Sequence, residues 1–390
     1  MTLIPVEKIG PPEWMIESKT QKLMEVIGGR ERHSLFVGGC VRNQLLNKAV
    51  EDIDIATQLS PQDVIKKLKA VDIKAIPTGI DHGTVTAVVE GKPFEITTLR
   101  NDVVTDGRHA EVAFTEDWFE DAKRRDFTMN TLLADIEGNI YDPTGQGLEN
   151  LKERRVVFVG DPAARIAEDY LRILRFFRFH AFYGEGDMDQ EALRACQNAA
   201  HHVKTLSRER ITSEFLKILS AEKAIQILQV MFDCNVLMEL RDKNYQDAML
   251  RKLCVLQFEN NTVELMARLF ILGGNKARFY EDILRLTHAQ KNFLVKLEMA
   301  FNLALYVDEK ALKKAIFYNG NALLVQGYLL LVAADKIKRD DSLLHILQNW
   351  QAPKCPITGD MLIAEGYVTG PDLGIELARR QEEWLEDHLS

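Results

Sequence analysis

The sequence predicts an α+β fold in which a strand-rich N-terminal part precedes a long, all-helical part. Up to about Gly160, short β-branched runs bounded by Gly, Pro or Asp are typical of strands, namely LFVGG, DIDIAT, HGTVTAVV, FEITTL and RRVVFVG. From Ala164 to about Ala334, leucine, phenylalanine and methionine recur at the spacing of helices. A length of 390 residues indicates two or three domains, at about 150 residues each.

Local signals give the elements in order. A strand over Leu35–Val37 leads through a Gly-Gly turn into a helix that we expect to reach Leu46. The next helix is predicted over Pro61–Lys69, with Ser60 as its N-cap. After the helical part, turn signals follow Pro353, and an acidic helix is predicted from about Pro371 to Asp387.

Composition excludes several classes of protein. With 49 basic and 58 acidic residues the net charge is −9, which rules out a histone-like grip on nucleic acid but allows a local basic groove. The longest apolar run, Gly327 to Ala334, is far shorter than the roughly 20 residues of a membrane-spanning helix. The N-terminus has no secretion signal, and the five scattered cysteines form no Cys-x-x-Cys pair. We therefore expect a cytoplasmic protein that does not contact membranes.

The segment Glu51-Asp52-Ile53-Asp54-Ile55 is the first indication of chemistry. In a strand, Asp52 and Asp54 share one face while Ile53 and Ile55 enter the core. Two neighbouring carboxylates repel each other, and a divalent cation such as Mg²⁺, which also binds substrate phosphates, removes that penalty. The alternative is that both aspartates face solvent at a sheet edge.

Two nearby features favour the metal hypothesis. Gly38-Gly39 forms a strand-to-helix turn, where backbone N–H groups and the helix N-terminus favour a phosphate. Glu95, in the alternating run Phe94-Glu95-Ile96, can supply a third carboxylate. Three acids beside such a turn predict a two-metal site, in which one ion activates an attacking hydroxyl and the other stabilises the leaving phosphate.

The order of motifs resembles class II tRNA nucleotidyltransferases, the CCA-adding enzymes of the DNA polymerase β-type nucleotidyltransferase superfamily. The motifs that carry the resemblance are GGCVRNQLL, EDIDIAT, GTVTAVVEGKPFEITTLR, RRDFTMNTLLAD with YDPTGQGLENL, EDYLRILRFFRF, RERITSE and the tail PITGDMLIAEGYVTGPDLG. Nearly the whole chain is covered. The sequence departs from the family at Asn43, where an aspartate is usual and a structural salt bridge would be expected.

The resemblance implies the domain organisation. We expect a mixed-sheet nucleotidyltransferase catalytic head over 1–156 and an elongated helical remainder. That remainder divides into a nucleotide-selecting neck over 157–220, a body over 221–300 and a tRNA-binding tail over 301–390.

The segment Glu168 to Arg178 predicts a helix with an apolar stripe and a winding stripe of arginines. Asp169 accepts hydrogen bonds and Arg172 donates them, so together they complement a base edge with an amino group beside a ring nitrogen. Cytosine and adenine have that edge, whereas guanine and uracil present a carbonyl and an N–H that the pair rejects. The alternative is a solvated face with an Asp169–Arg172 ion pair.

Further roles are implied by the family alone. The resemblance assigns nucleotide binding to Gly39, Arg42, Arg125, Asp169, Arg172, Arg175 and Arg178. It also implies that a flexible loop from Asn101 to Glu111 helps the change from C to A addition. We interpret Arg210 and Glu214 as an ion pair that braces a helix.

Together these features predict a template-independent enzyme that adds C, C and A to the tRNA 3′ end from CTP and ATP. Asp52 and Asp54 would hold Mg²⁺, and Glu95 would help to orient the attacking hydroxyl. A poly(A) polymerase, or a relative that adds only CC or only A, uses the same chemistry; Tyr170, where bacterial poly(A) polymerases usually have proline, favours CCA addition. The alternative of another class is a catalytically inactive RNA-binding protein. The oligomeric state is left open.

Overall fold

The structure, a computed structural model, describes residues 3–105, 110–302 and 309–388 of the chain. The chain divides into two units, Met1–Leu237 and Met238–Ser390. In the described ranges, all strands precede residue 142 and the chain is helical thereafter, so the predicted α+β fold with a mixed-sheet head is confirmed. The finer division into head, neck, body and tail stays a prediction.

Among the described residues of the first unit, ten strands form two sheets. Their bounds are β1 Pro5–Lys8, β2 Ser34–Val37, β3 Asp54–Thr57, β4 Lys74–Gly79, β5 Thr84–Val89, β6 Lys92–Thr98, β7 Arg100–Thr105, β8 Ala110–Phe114, β9 Leu133–Ala134 and β10 Asn139–Tyr141. Eight of them make one sheet in the order β1-β10-β9-β2-β3-β6-β5-β4, and β7 and β8 form a separate hairpin. The sheet is mixed because β3 and β6 run parallel while its other neighbours are antiparallel.

The helices of the first unit surround this sheet and continue beyond it. They are α1 Glu13–Ile16, α2 Ser18–Val26, α3 Gly39–Leu45, α4 Pro61–Lys69, α5 Trp118–Lys123, α6 Gly147–Lys152, α7 Pro162–Glu168, α8 Leu171–Tyr183, α9 Gln190–Ala199, α10 Arg208–Ser220 and α11 Ala224–Asp233. The Ser60 side chain accepts a hydrogen bond from the Asp63 backbone at 3.1 Å, which confirms the predicted cap of α4.

The second unit is helical throughout its described residues. Its helices are α12 Asp247–Glu259, α13 Leu265–Leu272, α14 His288–Asn302, α15 Glu309–Asn319, α16 Asn321–Ala333, α17 Asp341–Asn349, α18 Gly359–Ala364 and α19 Pro371–His388. Residues 323–333 of α16 are all buried, and the polar Gln326 among them is hydrogen-bonded to Gln257 and Thr262. In the described ranges, the helices are too short or too polar to cross a bilayer.

The strand predicted over RRVVFVG is wrong. This segment contributes a single bridge between Phe158 and Phe127 instead of a strand. Val156, Phe158 and Val159 are nevertheless buried, and the Phe158 ring stacks on that of Phe176 in α8. A short β-branched run can therefore satisfy burial without joining the sheet.

An aromatic cluster fixes α8 against the head. The ring of Phe127 lies 4.8 Å from those of both Phe158 and Phe179, and the rings of Phe158 and Phe176 are stacked at 5.7 Å. The rings of Phe127 and Phe176 are fully buried. Because α8 carries the arginines of the predicted site, this cluster sets their position relative to the strands.

We predict that Phe176→Ala lowers the free energy of unfolding of the first unit by about 3–5 kcal/mol, because it leaves a cavity in this cluster. The matched control is Phe232→Ala, at a ring that is 38% exposed. Urea unfolding followed by tryptophan fluorescence measures both. Equal losses for the two variants would contradict the role of the cluster.

Candidate functional site

A cavity of about 440 Å³ opens beside the start of β3, in the first unit. It is lined by Gly38, Gly39, Arg42, Asp54, Arg124, Arg125, Asp126, Asn130, Asp169, Leu171, Arg172, Arg175, Phe179 and Arg210. Seven of the predicted site residues are in this wall, namely Gly39, Arg42, Asp54, Arg125, Asp169, Arg172 and Arg175. Asp52, Glu95 and Arg178 are not.

The parallel strand pair β3–β6 determines the relative positions of two of the three predicted carboxylates. The strand predicted over DIDIAT, residues 52–57, begins only at Asp54, so Asp52 lies in the loop before it. Asp54 lies opposite Glu95 in the strand register. Ile53 and Ile55 are buried, as the alternation predicts, whereas Asp54 is half-buried and Asp52 and Glu95 are exposed. Burial, with repulsion from Glu95 and Asp52, raises the pKa of Asp54 to about 6. The three acids therefore share one electrostatic environment.

This arrangement differs from a three-carboxylate metal cage. Among the described residues, no group of three or more His, Cys, Asp or Glu side chains is placed to hold a metal ion. A divalent cation held by Asp52 and Asp54 would thus need its remaining ligands from substrate phosphates and water. Two carboxylates with several such ligands are the usual arrangement for Mg²⁺, so the donor set fits the ion.

The Gly-Gly turn has the geometry that the sequence predicts. β2 ends at Val37 and α3 begins at Gly39. Gly38 between them has φ +72° and ψ −121°, a conformation that side chains rarely adopt. The turn therefore requires glycine and brings the start of α3 to the cavity wall.

Arg42, one turn into α3, is a buried cation. It is 7% exposed and donates to Asn130 Oδ1 at 2.6 Å, to the Tyr183 hydroxyl at 2.8 Å and to Asn43 Oδ1 at 2.9 Å. Its guanidinium also lies 4.0 Å from the centre of the Tyr183 ring. Among the described residues it has no carboxylate within ion-pair distance, and burial lowers its pKa. Such a charge favours an anionic ligand.

Asn43 takes the place of the acid that is usual in the family. Its Oδ1 accepts from Arg42, so a neutral amide replaces the expected salt bridge. Its Nδ2 donates to the backbone oxygen of Ala49 at 2.9 Å, which a carboxylate cannot do.

Two buried aspartates hold arginines at the wall. Asp121 pairs with Arg124 at 2.7 Å and with Arg125 at 2.9 Å. Burial alone would raise the pKa of Asp121, but Arg125 and Arg124 hold it below its usual value. Asp126 likewise accepts from Arg175 Nε at 2.8 Å, and its pKa is lowered despite its burial. The two aspartates fix the directions of these arginines.

The Asp169–Arg172 ion pair, which was the alternative to a base-selecting pair, is absent from the described contacts. Asp169 lies in a break between α7 and α8, where its Oδ1 accepts from the Leu171 backbone at 3.1 Å and its Oδ2 pairs with Arg210 at 2.6 Å. Arg172 pairs instead with Glu168 at 2.6 Å. Both members of the predicted base-selecting pair thus line the cavity, each held by a different partner.

The interpretation of Arg210 and Glu214 as a helix-bracing pair is wrong. Arg210 lines the cavity and binds Asp169, while Glu214 lies 2.6 Å from Arg178 and 3.9 Å from Arg175. Arg178 lies behind the wall because a spacing of three residues turns it away along α8. The four-residue spacing of Arg210 and Glu214 allows an ion pair within one helix. The packing of α10 on α8 instead gives each of them a partner outside α10.

Sequence reasoning missed six residues of the wall, namely Arg124, Asp126, Asn130, Leu171, Phe179 and Arg210. Asn130 lies in the motif RRDFTMNTLLAD, but its residue type alone indicates no role, and Phe179 follows the same periodicity as core phenylalanines. In all, six arginines and three aspartates line the cavity. The loop predicted from Asn101 to Glu111 is wrong over most of its length, because residues 101–105 belong to β7 and residues 110–111 to β8. Residues 106–109 lie outside the described residues.

The comparisons with known proteins first show the class of protein. Residues 34–157 match the family "Poly A polymerase head domain", and residues 187–240 match "Probable RNA and SrmB- binding site of polymerase A". The head that carries the cavity is thus a nucleotidyltransferase head.

Relatives over the full chain then define the family. The chain is 33% identical to CCA tRNA nucleotidyltransferase 1, mitochondrial, of Homo sapiens, over 91% of this chain and 83% of that protein. It is 31% identical to the CCA-adding enzyme of Streptococcus gordonii, over 94% and 92%. The crystal structure of Bacillus stearothermophilus CCA-adding enzyme in complex with CTP is similar with a TM-score of 0.72 at 25% identity, covering 96% and 94%. The chain belongs to the family of CCA-adding tRNA nucleotidyltransferases.

We predict that Arg175→Met destabilises the first unit by about 3–5 kcal/mol at pH 8, because it leaves the Asp126 carboxylate buried without its cation. In the native protein the pKa of Asp126 is lowered, so its stabilisation is present at neutral pH and is lost as the pH falls through that pKa. Without Arg175, burial favours protonated Asp126, so the difference from the native protein should narrow at pH 5.

Urea unfolding at both pH values measures this effect, with the exposed Arg194→Met as the matched control. Adding Asp126→Asn to the Arg175 variant should recover part of the loss. A difference that is equal at pH 8 and pH 5 would contradict the pairing.

Proposed function

We propose that this protein adds C, C and A to the 3′ end of tRNA from CTP and ATP, without a nucleic-acid template. The tRNA 3′-hydroxyl attacks the α-phosphate of the bound nucleotide, a new phosphodiester bond forms, and pyrophosphate leaves with the electron pair of the broken bond. Membership of the family supports this reaction. So does the similarity to a CCA tRNA nucleotidyltransferase and to a CCA-adding enzyme, which extends over 89% and 92% of the two relatives.

The observation that carries the proposal is the charge of the cavity wall. Six arginines face three aspartates there, and the buried Arg42 has only neutral acceptors and ring contacts among the described residues. A triphosphate supplies the negative charge that this wall lacks, and guanidinium groups suit its oxygens. The arginines would also stabilise charge that develops on the leaving pyrophosphate.

Asp52 and Asp54 would hold a divalent cation, which we propose to be Mg²⁺. Such an ion, when bound, would activate the attacking hydroxyl and neutralise phosphate charge. Glu95, which lies opposite Asp54 in the register, would help to orient the hydroxyl. The protein's own contribution is alignment, because the strand pair holds Asp54 opposite Glu95 and the Gly38 turn brings the start of α3 to the same cavity as Asp54.

Base selection would fall to Asp169 and Arg172. Asp169 accepts and Arg172 donates, which complements the shared edge of cytosine and adenine. Arg210 holds one oxygen of Asp169 at 2.6 Å, and Glu168 holds Arg172 at 2.6 Å, so both are oriented before a base arrives. A guanine or uracil carbonyl would face the Asp169 carboxylate and be rejected.

A relative that adds only part of CCA, or a poly(A) polymerase, uses the same chemistry. The nucleotides that the enzyme adds to the RNA distinguish these alternatives from full CCA addition. An inactive RNA-binding protein is disfavoured by the carboxylates and arginines assembled at one cavity. We place the protein in the cytoplasm, which its free thiols fit, although the human and mouse relatives are mitochondrial by name.

We predict that Asp52→Ala and Asp54→Ala each lower nucleotide incorporation at least about 100-fold, because each removes a ligand of the cation. The assay incubates tRNAs that end before CCA, after C and after CC with Mg²⁺ and each nucleoside triphosphate, and the products are sequenced. Glu51→Ala, at an exposed neighbouring acid, is the control. A normal rate for Asp52→Ala would refute the proposed metal site.

We predict that Asp169→Ala with Arg172→Ala reduces the preference for CTP over UTP and for ATP over GTP by about 10- to 100-fold, since a bidentate contact is worth about 1–3 kcal/mol. Steady-state incorporation of each nucleotide gives the ratios of kcat/KM. Undiminished preference in the double variant would overturn the assignment of base selection.

A further inference from the structure

We propose that Asn43 and Lys48 are positioning residues that anchor the loop carrying Asp52 to α3 and to the end of α8. We define this loop, residues 47–53, as the Asp52 loop. This inference rests on the proposed function, because the position of the loop matters for the reaction only if Asp52 is a ligand of the cation.

The Asp52 loop has little packing of its own. It starts at Asn47, whose φ of +54° ends α3, and it enters β3 after Ile53. Residues 47–49 and 51–52 are exposed, and Ile53 is the one residue of the loop that is fully buried. A loop with so few apolar contacts opens easily unless polar contacts hold it.

The first anchor is the Asn43 side chain. Its amide nitrogen donates to the backbone oxygen of Ala49 at 2.9 Å, and its amide oxygen accepts from Arg42 at 2.9 Å. One residue thus joins the loop to the arginine at the cavity wall. Only an amide of this length has both a donor and an acceptor at these positions, because a carboxylate cannot donate.

The second anchor is the Lys48 ammonium group. It donates to the backbone oxygen of Phe182 at 2.7 Å and lies 5.0 Å from the centre of the Tyr183 ring. These are the last two residues of α8, where carbonyl groups lack helical partners and a cation is favoured. The same Tyr183 accepts a hydrogen bond from Arg42, so the two anchors converge.

The consequence is a fixed distance between two parts of the proposed site. α8 carries Arg172 and Arg175 at the cavity, while the Asp52 loop carries the exposed carboxylate. Attachment of the loop to the end of α8 keeps the Asp52 carboxylate at a fixed distance from a nucleotide that these arginines bind. Loss of an anchor should therefore weaken metal use while leaving nucleotide contacts in place.

The test uses Lys48→Met and Asn43→Asp, which remove the donors to Phe182 and Ala49. Lys69→Met and Asn198→Asp, at exposed positions of α4 and α9, are the matched controls. Amide hydrogen exchange of the peptide over 47–53, measured on the full chain without metal or nucleotide, should speed up by about 5- to 10-fold in both variants, as expected for a lost hydrogen bond. The controls should not change it.

Lys48→Met should also raise the Mn²⁺ concentration for half-maximal incorporation by about 10-fold. Its Kd for CTP, measured with EDTA present, should stay within about twofold of the native value, because the arginines are untouched. The conservative variant Lys48→Arg should keep the native metal dependence, because a guanidinium can also donate to the backbone oxygen of Phe182.

Unchanged exchange in the Asp52 loop would overturn the inference, as would a change in CTP affinity without a change in metal dependence. These outcomes differ from failure of the proposed function. If Asp52→Ala retained normal incorporation, the metal assignment would fail whether or not the two anchors slow exchange in the loop.

Discussion

The surplus of arginine at one cavity wall is the constraint on which the rest of the site depends. Six arginines meet three aspartates there, and the buried Arg42 donates to two asparagines and a tyrosine instead of an acid. Desolvating so much charge is costly unless an anion compensates it. Asp121 and Glu168 behind the wall pair with three of the arginines, and Asp126 and Asp169 pair with two more. Among the described residues Arg42 is thus the one wall arginine without an acid partner, and its buried charge suits an anionic ligand.

The fold produces this cavity by bringing together distant segments. The parallel pair β3–β6 places Asp54 opposite Glu95, and the turn at Gly38 brings Arg42 beside them. The aromatic cluster around Phe127 then packs α8 on the head, which adds the arginines of a helix more than 100 residues later in the chain. The Asp54 carboxylate and six guanidinium groups thus line one opening.

Periodicity and turn chemistry were enough to predict the local parts. The α4 helix with its Ser60 cap, the Gly-Gly turn and the burial of Ile53 and Ile55 all follow from short-range rules. Long-range pairing does not follow from such rules. Arg210 has an acid four residues away, yet it binds Asp169 across the packing of two helices. Asn130 reaches the wall from the motif RRDFTMNTLLAD, in which short-range rules give it no role, and the full ligand set at Asp52 stays a prediction.

The most direct test of the central claim is the affinity of the full chain for CTP, CMP and cytidine, measured by calorimetry with EDTA at two salt concentrations. If the arginine surplus binds phosphates, CTP should bind at least about 100-fold more tightly than CMP, and its affinity should fall steeply as salt rises. Equal affinities for CTP and CMP, or a CTP affinity that salt does not change, would contradict the account.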